Sequence, residues 1–328
     1  MGFEAIVEDN LNLDSTVLTR YGKQQGAKIG YNPKKRGRPS HHPLLAFLGS
    51  GYVVNLWNRS GNTASGEGCL PFFQQTVAAL GENFRVWRVL CDSGFYLVKF
   101  IEHLETKGFS YIIAAPISHA IQNAIHDIAL WEKLDEAIEV AQFHFEHKDE
   151  KWTHPRRYVA VRQHKGKRPK AVGKQLSLFE EYEDWGAYRY SVFITNDELL
   201  TPEEVWREYR PRANDENILK DLKEGMALSA FNLDNFWATE AVMLMTALVF
   251  HNMLHYLNRN ILNRNRPKSQ TKTVRAQYFI LPAQLGNSGG TYRLRIAVKA
   301  GRLRARMIHF LNRIQQLPHR LNCIAVQT

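Results

Sequence analysis

One predicted helix, from Thr201 to Gly225, constrains this chain more than any other stretch of its sequence. Thr201 and Glu204 have the spacing of a capping box, and Pro202 suits the first helical turn. Gly225 can end the helix in a left-handed conformation. Pro211 removes a backbone donor in the middle, so the helix is expected to bend there or to divide into two segments.

Four polar residues of this helix fall on one narrow stripe when successive residues are placed about 100° apart: Tyr209, Arg212, Glu216 and Lys223. The apolar residues that should bury the helix lie on the other side: Ile218, Leu219 and Leu222. A carboxylate flanked by two cations and a phenol hydroxyl can bind a metal ion beside phosphate groups. The ordinary alternative is a solvated helix face with ion pairs such as Arg212 with Glu216.

Two aspartates upstream stand where predicted strands end. The first predicted strand runs from Asn10 to Asp14, and Asp92 directly follows a predicted strand from Phe84 to Cys91. If these strands are neighbours, both carboxylates emerge at the same edge of the sheet, where a helix can bring Glu216 to them. Metal-assisted phosphodiester cleavage uses such oxygen ligands to hold two ions about 3.5–4 Å apart. Taken singly, each aspartate is also a common cap or turn residue.

The spacing Tyr209-x2-Arg212-x3-Glu216-x6-Lys223 matches the YREK signature of insertion-sequence DDE transposases. The segments LDST around Asp14 and CDSGF around Asp92 resemble the same family, so the resemblance covers nearly the whole chain. It implies an RNase H-like catalytic domain in which Asp14, Asp92 and Glu216 are catalytic and hold Mg²⁺ or Mn²⁺, with two ions expected. It also implies that Tyr209, Arg212 and Lys223 contact phosphates at the transposon end.

The activity implied by this resemblance is metal-dependent cleavage at the ends of a transposon, followed by attack of the freed 3′-hydroxyl on target DNA. The partners would be double-stranded DNA, at the ends and at the target, and a second copy of the chain in a homodimer on DNA. Two alternatives stay open: a nuclease of RNase H-like fold that never joins strands, and an inactive or domesticated DNA-binding protein. Only thirteen residues precede Asp14, so the given sequence is expected to lack the family's helical DNA-binding region and to discriminate poorly between DNA sequences.

The predicted fold class is α/β, with an RNase H-like mixed sheet flanked by helices and a β-rich insertion before the glutamate-bearing helix. Residues 1–134 are expected to form the first part of the catalytic domain and residues 135–200 the insertion. Residues 201–257 would complete the domain, and residues 258–328 would form a basic C-terminal region. A long apolar helix is predicted at Phe236–Leu257, with a strand at Tyr278–Leu281.

Charge is distributed unevenly along the chain. The formal net charge is +11, yet no acidic residue follows Glu240, whereas fourteen lysines and arginines do. A second window without acidic residues, Ser15 to Gly66, holds eight lysines and arginines. Segregated positive charge of this kind indicates a polyanionic partner, with nucleic acid the first candidate.

Other features of the composition exclude several classes of protein. The three cysteines lack the spacing of a metal site and argue against a disulfide scaffold, which favours a reducing, cytoplasmic setting. The resemblance to insertion-sequence transposases implies a nucleoid-associated bacterial protein. The uncharged run Ala241–Asn258 contains His251, Asn252 and His255 and is interpreted as a buried core helix instead of a membrane span.

Three weaker signals have ordinary and functional interpretations. The segment Arg36–Pro39 resembles a minor-groove AT-hook core, although a basic loop that touches the DNA backbone is favoured. His41 and His42 could approach a metal site or be structural. Trp152 or Trp185 could stack on an unpaired base, although a place in the core or on the surface is favoured.

Overall fold

The fold is built around the strand β1 (Val7–Ser15), in a computed structural model that describes residues 7–147, 152–165, 186–262, 270–297 and 301–316. β1 is buried on both faces over its second half. Leu11 and Leu13 pack into one core on one face, and Asn12 and Asp14 alternate with them on the other. The polar residues at this buried strand end therefore have to find partners inside the protein.

The chain divides into two compact units: the first is Met1–Leu219 with Phe231–Leu244, and the second is Lys220–Ala230 with Met245–Thr328. The other strands of the first unit are β2 (Leu18–Thr19), β3 (Lys28–Ile29), β4 (Pro39–His41), β5 (Leu44–Leu48), β6 (Val53–Trp57), β7 (Phe84–Cys91), β8 (Tyr111–Ala114), β9 (Glu132–Lys133), β10 (Ile138–Phe145), β11 (Arg156–His164) and β12 (Tyr188–Thr195). Its α-helices are α1 (Cys69–Leu80), α2 (Val98–Thr106), α3 (His119–His126), α4 (Pro202–Tyr209), α5 (Ala213–Lys220) and α6 (Phe236–Leu244), with α5 ending one residue into the second unit.

Within the described residues, nine strands form one mixed sheet in the order β6-β5-β1-β7-β8-β12-β11-β10-β9. β1 is parallel to β7, β7 is parallel to β8, and β5 is antiparallel to β1. The largest apolar cluster fills one face with side chains from α1, α2 and α3, and a second cluster on the other face contains Val205, Trp206 and Tyr209. Helices on both sides of a mixed sheet confirm the predicted fold class.

The strands that the sequence assigned to a β-rich insertion continue this central sheet. β12 pairs antiparallel with β8, and β11 and β10 follow it outward. Trp152 is buried against Tyr96 and His147, so the ordinary core interpretation holds for it. Trp185 lies outside the described residues.

Three short strands form a separate small sheet in the order β2-β4-β3. It lies between β1 and β5 in the chain, so the connection that leaves Asp14 leads directly into it. Arg20 and Gln24 donate hydrogen bonds to the Phe231 carbonyl at 3.2 and 2.9 Å, which ties this small sheet to the segment before α6.

The helix that carries the polar stripe is divided as predicted. Thr201 and Glu204 form the reciprocal capping box, with hydrogen bonds of 2.8 and 3.2 Å. A 3₁₀ turn at Arg210–Arg212 contains Pro211 and separates α4 from α5. A π-helical segment, Asp221–Gly225, follows α5.

The second unit has π-helical segments at Met245–His251, Leu257–Leu262 and Arg275–Phe279. Its other elements are α7 (Asn252–Tyr256), α8 (Thr271–Val274), the antiparallel strands β13 (Ala283–Ser288) and β14 (Thr291–Ile296), and α9 (Arg302–Gln315). The predicted strand Tyr278–Leu281 is wrong, because residues up to Phe279 are still helical and the strand begins at Ala283.

The helical stretch predicted at Phe236–Leu257 is present but only partly buried. Five large apolar side chains are exposed along it: Trp237, Met245, Val249, Phe250 and Met253. Among the described residues, no helix combines the length and the hydropathy needed to cross a membrane.

Candidate active site

Asp14 and Asp92 lie at the same edge of the central sheet. β1 and β7 are adjacent and parallel, and Leu13 pairs with Cys91 in their register. Each aspartate is the residue that follows one member of this pair, so both side chains leave neighbouring strands at the same level. The sequence predicted this arrangement only on the condition that the two strands were neighbours.

Backbone groups fix one oxygen of each aspartate. The Ser15 amide donates to Asp14 Oδ1 at 2.7 Å, and the Gly94 amide donates to Asp92 Oδ1 at 2.9 Å. A Cβ on residue 94 would lie 2.8 Å from Ser65 Cβ, so only glycine fits this turn without a shift. The remaining oxygens both face Arg212, whose Nη2 lies 3.1 Å from Asp14 Oδ2 and 3.9 Å from Asp92 Oδ2.

The 3₁₀ turn after α4 delivers Arg212 to this position. Tyr209, at the end of α4, donates from its hydroxyl to the Cys91 carbonyl at 3.1 Å, directly before Asp92. Its ring packs on Phe193 with the centroids 4.5 Å apart, and the Arg212 guanidinium lies 5.8 Å from its centroid. Both Tyr209 and Arg212 are buried, so this half of the polar stripe also contributes to packing.

Glu216 lies four residues beyond Arg212 on α5 and is half-buried. Burial raises its pKa, and the Arg212 charge acts against that rise. Burial raises the pKa of Asp14 to about 6; Arg212 again opposes the rise, and the charges of Asp92 and Glu216 add to it. The three carboxyl groups and Arg212 therefore share one electrostatic environment.

The sequence interpretation missed a second contact between the helix and β1. Asn12 Nδ2 donates to Asp215 Oδ1 at 3.1 Å, and both residues are buried. Asn12 stands two residues before Asp14 on the same face of β1, and Asp215 precedes Glu216. The signal was an asparagine between two leucines, Leu11 and Leu13, in the buried half of β1, but its partner lies 203 residues away along the chain.

Asp215 is held in an unusual environment. Burial raises its pKa to about 7, the Arg212 charge and the Asn12 hydrogen bond act against this, and Asp14 and Glu216 add to it. Asp215 Oδ2 and Asn12 Oδ1 are buried without hydrogen-bond partners among the described residues. Buried polar atoms of this kind are rare and are often found at functional sites.

Three further candidates from the sequence are Lys223, His41 and His42. Lys223 is in the π-helical segment that belongs to the second unit. Arg20 Nε donates to His41 Nδ1 at 3.1 Å, so His41 Nε2 carries the proton that it shares with the Gln25 carbonyl at 2.9 Å. His42 bonds to the Thr63 carbonyl and to Ser15 Oγ, so both ring nitrogens of each histidine have partners, which supports the structural interpretation.

Two carboxylate oxygens that converge on one cationic nitrogen have the donor chemistry that divalent metal ions prefer. The Arg212 guanidinium is a resident positive charge at that point. Within the described ranges, no three carboxylate, imidazole or thiol groups are close enough to hold an ion together. The aspartate pair supplies oxygen donors suited to the metal that the resemblance implies, and no third such group joins the pair within the described residues.

A comparison with protein-family models shows the family to which the chain belongs. A family model described as the transposase DDE domain matches residues 4–319, nearly the whole chain. The chain belongs to this transposase family, in the division named group 1. No curated protein matches it in sequence.

A solved structure is also similar to the chain: a piggyBac transposase synaptic complex with hairpin DNA, at 11% identity and a TM-score of 0.45. The match covers 97% of this chain and 55% of that one. The chain thus spans about half the length of this relative.

Proposed function

We propose that this chain is a transposase that cleaves DNA at the ends of a mobile element and joins the freed 3′ ends to target DNA. Asp14, Asp92 and Glu216 would be its catalytic residues. The observation that carries the proposal is the convergence of Asp14 Oδ2 and Asp92 Oδ2 on Arg212 Nη2, at 3.1 and 3.9 Å. Membership in the DDE transposase family supports the reaction class.

The chemistry is two displacements at phosphorus. In the first, water attacks a phosphodiester in line, one proton leaves the water, and the 3′-oxygen departs as a hydroxyl group. In the second, that 3′-hydroxyl attacks a phosphodiester of the target, forms a new bond to phosphorus, and releases another 3′-hydroxyl. Mg²⁺ or Mn²⁺ held by the carboxylates would activate the attacking oxygen and neutralise charge on the phosphoryl group.

The protein's own groups prepare this site. The Ser15 and Gly94 amides fix one oxygen of each aspartate and leave the other directed into the site. Arg212 favours the ionised form of Asp14 against the effect of burial. Tyr209 anchors the end of α4 to the backbone beside Asp92, which sets the position of the helix that carries Glu216.

DNA is the partner that the charge distribution favours. The net charge is +11, and the basic residues after Glu240 have no acidic neighbours in sequence. We propose that Arg212 and Lys223 act on phosphates, Arg212 from within the site. The proposed assembly on DNA is a homodimer.

The test is cleavage of duplexes that carry the genomic flanks of the gene, with Mg²⁺ or Mn²⁺. Asp14→Asn, Asp92→Asn and Glu216→Gln should each lower cleavage by several orders of magnitude while DNA binding persists, because an amide replaces a carboxylate ligand poorly. Glu224→Gln, at an exposed glutamate on the following segment, is the matched control and should cleave like the wild type. Cleavage by Glu216→Gln at the wild-type rate would contradict the assignment.

A pre-cleaved end and a plasmid target separate transposase from nuclease. Strand-transfer products show the joining step, whereas hydrolysis alone indicates a nuclease. Binding without either reaction indicates a DNA-binding protein that has lost its activity.

A further inference from the structure

The small sheet β2-β4-β3 and its loops form a basic surface directly after the candidate active site. Six cations on it are exposed: Lys23, Lys28, Lys34, Lys35, Arg36 and Arg38. No acidic residue occurs between Ser15 and Gly66, so nothing within this segment neutralises them. A surface of this charge attracts a polyanion.

Two tyrosine rings stand out from this basic surface. Tyr21 is 76% exposed and Tyr31 is 71% exposed. β2 and β3 both run antiparallel to β4, so the chain leaves both strands at the same edge of the small sheet. Each tyrosine is the second residue after its strand, and Asn32 Nδ2 donates to Thr19 Oγ1 at 3.0 Å, which links the two exits.

Hydrogen bonds hold the basic turn beside these rings in place. Asn32 Oδ1 accepts from the Lys35 amide at 3.0 Å, and the Arg38 amide donates to the Lys35 carbonyl at 3.1 Å. Gly37 has a φ of 73°, a left-handed conformation that favours glycine, so the segment is a closed turn. The cations are presented by a structured loop, which lowers the entropy cost of binding.

The small sheet is close to the carboxylates by chain length alone. Tyr21 is the seventh residue after Asp14, which limits the distance between their Cα atoms to about 25 Å. At the duplex rise of about 3.4 Å per nucleotide on one strand, this upper limit corresponds to roughly seven nucleotides. A strand bound at Asp14 and Asp92 can therefore reach the rings.

We propose that this surface binds single-stranded DNA next to the cleaved phosphodiester, with Tyr21 and Tyr31 stacking on unpaired bases and the cations contacting the backbone. The inference rests on the proposed function for the position of the DNA strand. Exposed aromatic rings between cations are the usual means of holding unpaired bases, because every base has a face on which a ring can stack. A duplex would use the cations and leave the rings without a partner.

The test compares two fluorescent DNAs that share one duplex sequence, one blunt and one with a seven-nucleotide 3′ overhang. Binding of the full chain is measured by anisotropy in EDTA at about 150 mM salt, so the result does not depend on cleavage. The wild type should prefer the overhang DNA, and Tyr21→Ala with Tyr31→Ala should weaken overhang binding by about tenfold or more. Binding to the blunt duplex should change little in the tyrosine variant.

Matched variants separate stacking from charge and from folding. Tyr21→Phe with Tyr31→Phe keeps both rings and should preserve the preference. Tyr292→Ala removes a ring of similar exposure, 72%, in the second unit and should leave the preference unchanged. Lys34→Ala with Lys35→Ala should weaken binding of both DNAs and lower the salt dependence of that binding.

Three outcomes would overturn the inference. In the first, the wild type binds both DNAs with equal affinity. In the second, the tyrosine variant loses affinity equally for both DNAs. In the third, a folded tyrosine variant keeps the full preference for the overhang DNA. The second result would make the small sheet a duplex-binding surface, and the third would leave its rings for a protein partner. If cleavage fails while the overhang preference depends on the rings, the proposed function is wrong and this surface stands.

Discussion

Two buried arginines of the first unit meet carboxylates in opposite ways. Arg88 on β7 is 3% exposed, and all its side-chain nitrogens have partners: Asp197 at 2.6 Å, Glu208 at 3.1 Å and Ser110 at 3.3 Å. Arg212 is 7% exposed and lies 3.1 Å from Asp14, but its Nε and Nη2 have no hydrogen bond of good geometry among the described residues. The Arg88 site is therefore saturated, meaning that every side-chain nitrogen has a hydrogen-bond partner, and the Arg212 site is not.

Saturated and unsaturated arginine sites have different roles in this fold. A buried ion pair with every donor satisfied holds elements together, here β7 and the segment around α4. Around Arg212, by contrast, the orphaned atoms are accompanied by raised pKa values at Asp14 and Asp215, both caused first by burial. Such a cluster costs stability, which is expected where a ligand completes the site.

The largest stability effect should come from breaking the saturated pair. Arg88→Met removes the cation that pairs with Asp197 and with one carboxylate oxygen of Glu208. The free energy of unfolding should therefore fall by about 3–5 kcal/mol. Urea denaturation at neutral pH measures this change. The control is Arg85→Met on the same strand, where the side chain is 66% exposed beside Glu8 and the loss should stay below about 1 kcal/mol.

Asp14→Asn should stabilise the folded chain, whereas Arg88→Met should destabilise it. The raised pKa means that ionised Asp14 destabilises the folded chain without metal, because burial and its acidic neighbours outweigh Arg212. Replacement by an amide should therefore raise the free energy of unfolding on the order of 1–3 kcal/mol above neutral pH, in EDTA. A loss as large as that of Arg88→Met would mean that Arg212 and Asp14 form an ordinary structural pair.

The pH dependence sharpens the same comparison. Asp14 titrates near 3.8 when unfolded and near 6 when folded, so the folded state binds more protons between these values and loses stability as pH rises through them. The advantage of Asp14→Asn should thus disappear below about pH 4 and be complete above about pH 6. Melting curves of both proteins from pH 4 to 8 test this, and a constant difference across the range would contradict it.

A smaller effect than that of Arg88→Met is expected for the contact between Asn12 and Asp215, which the sequence interpretation missed. Asn12→Ala removes one hydrogen bond to Asp215 and should cost about 1–3 kcal/mol of unfolding free energy, since Asp215 Oδ1 is left buried and unpaired. Asn12→Ala with Asp215→Ala should recover part of that loss. No recovery in the double variant would show that the two side chains act independently.

Local sequence signals were enough for much of the fold. The capping box at Thr201 and the break at Pro211 depend on neighbouring residues, and both are present. The edge shared by Asp14 and Asp92 required the assumption that β1 and β7 are neighbours, which strand patterning alone does not determine. Partners distant in sequence, such as Asn12 with Asp215, could not be predicted because only tertiary packing brings them together.

The polar stripe shows the limit of helical periodicity most clearly. A single helical wheel placed Tyr209, Arg212, Glu216 and Lys223 together, but the chain passes through 3₁₀, α and π-helical turns over these residues. Each type of turn advances by a different angle per residue, so a phase set at Tyr209 is not kept at Lys223. Roles for individual stripe residues therefore depend on contacts, which place Tyr209 and Arg212 in the buried site.

The most direct test of the central claim is metal binding by the full chain, independent of DNA. Free Mn²⁺ is measured by electron paramagnetic resonance during titration at pH 8, with the wild type, Asp14→Asn, Asp92→Asn and the exposed control Glu224→Gln. Each aspartate variant should lose at least about tenfold in Mn²⁺ affinity, equal to about 1.4 kcal/mol, and the control should bind like the wild type. Equal Mn²⁺ binding by the wild type and both aspartate variants would contradict a metal centre at Asp14 and Asp92.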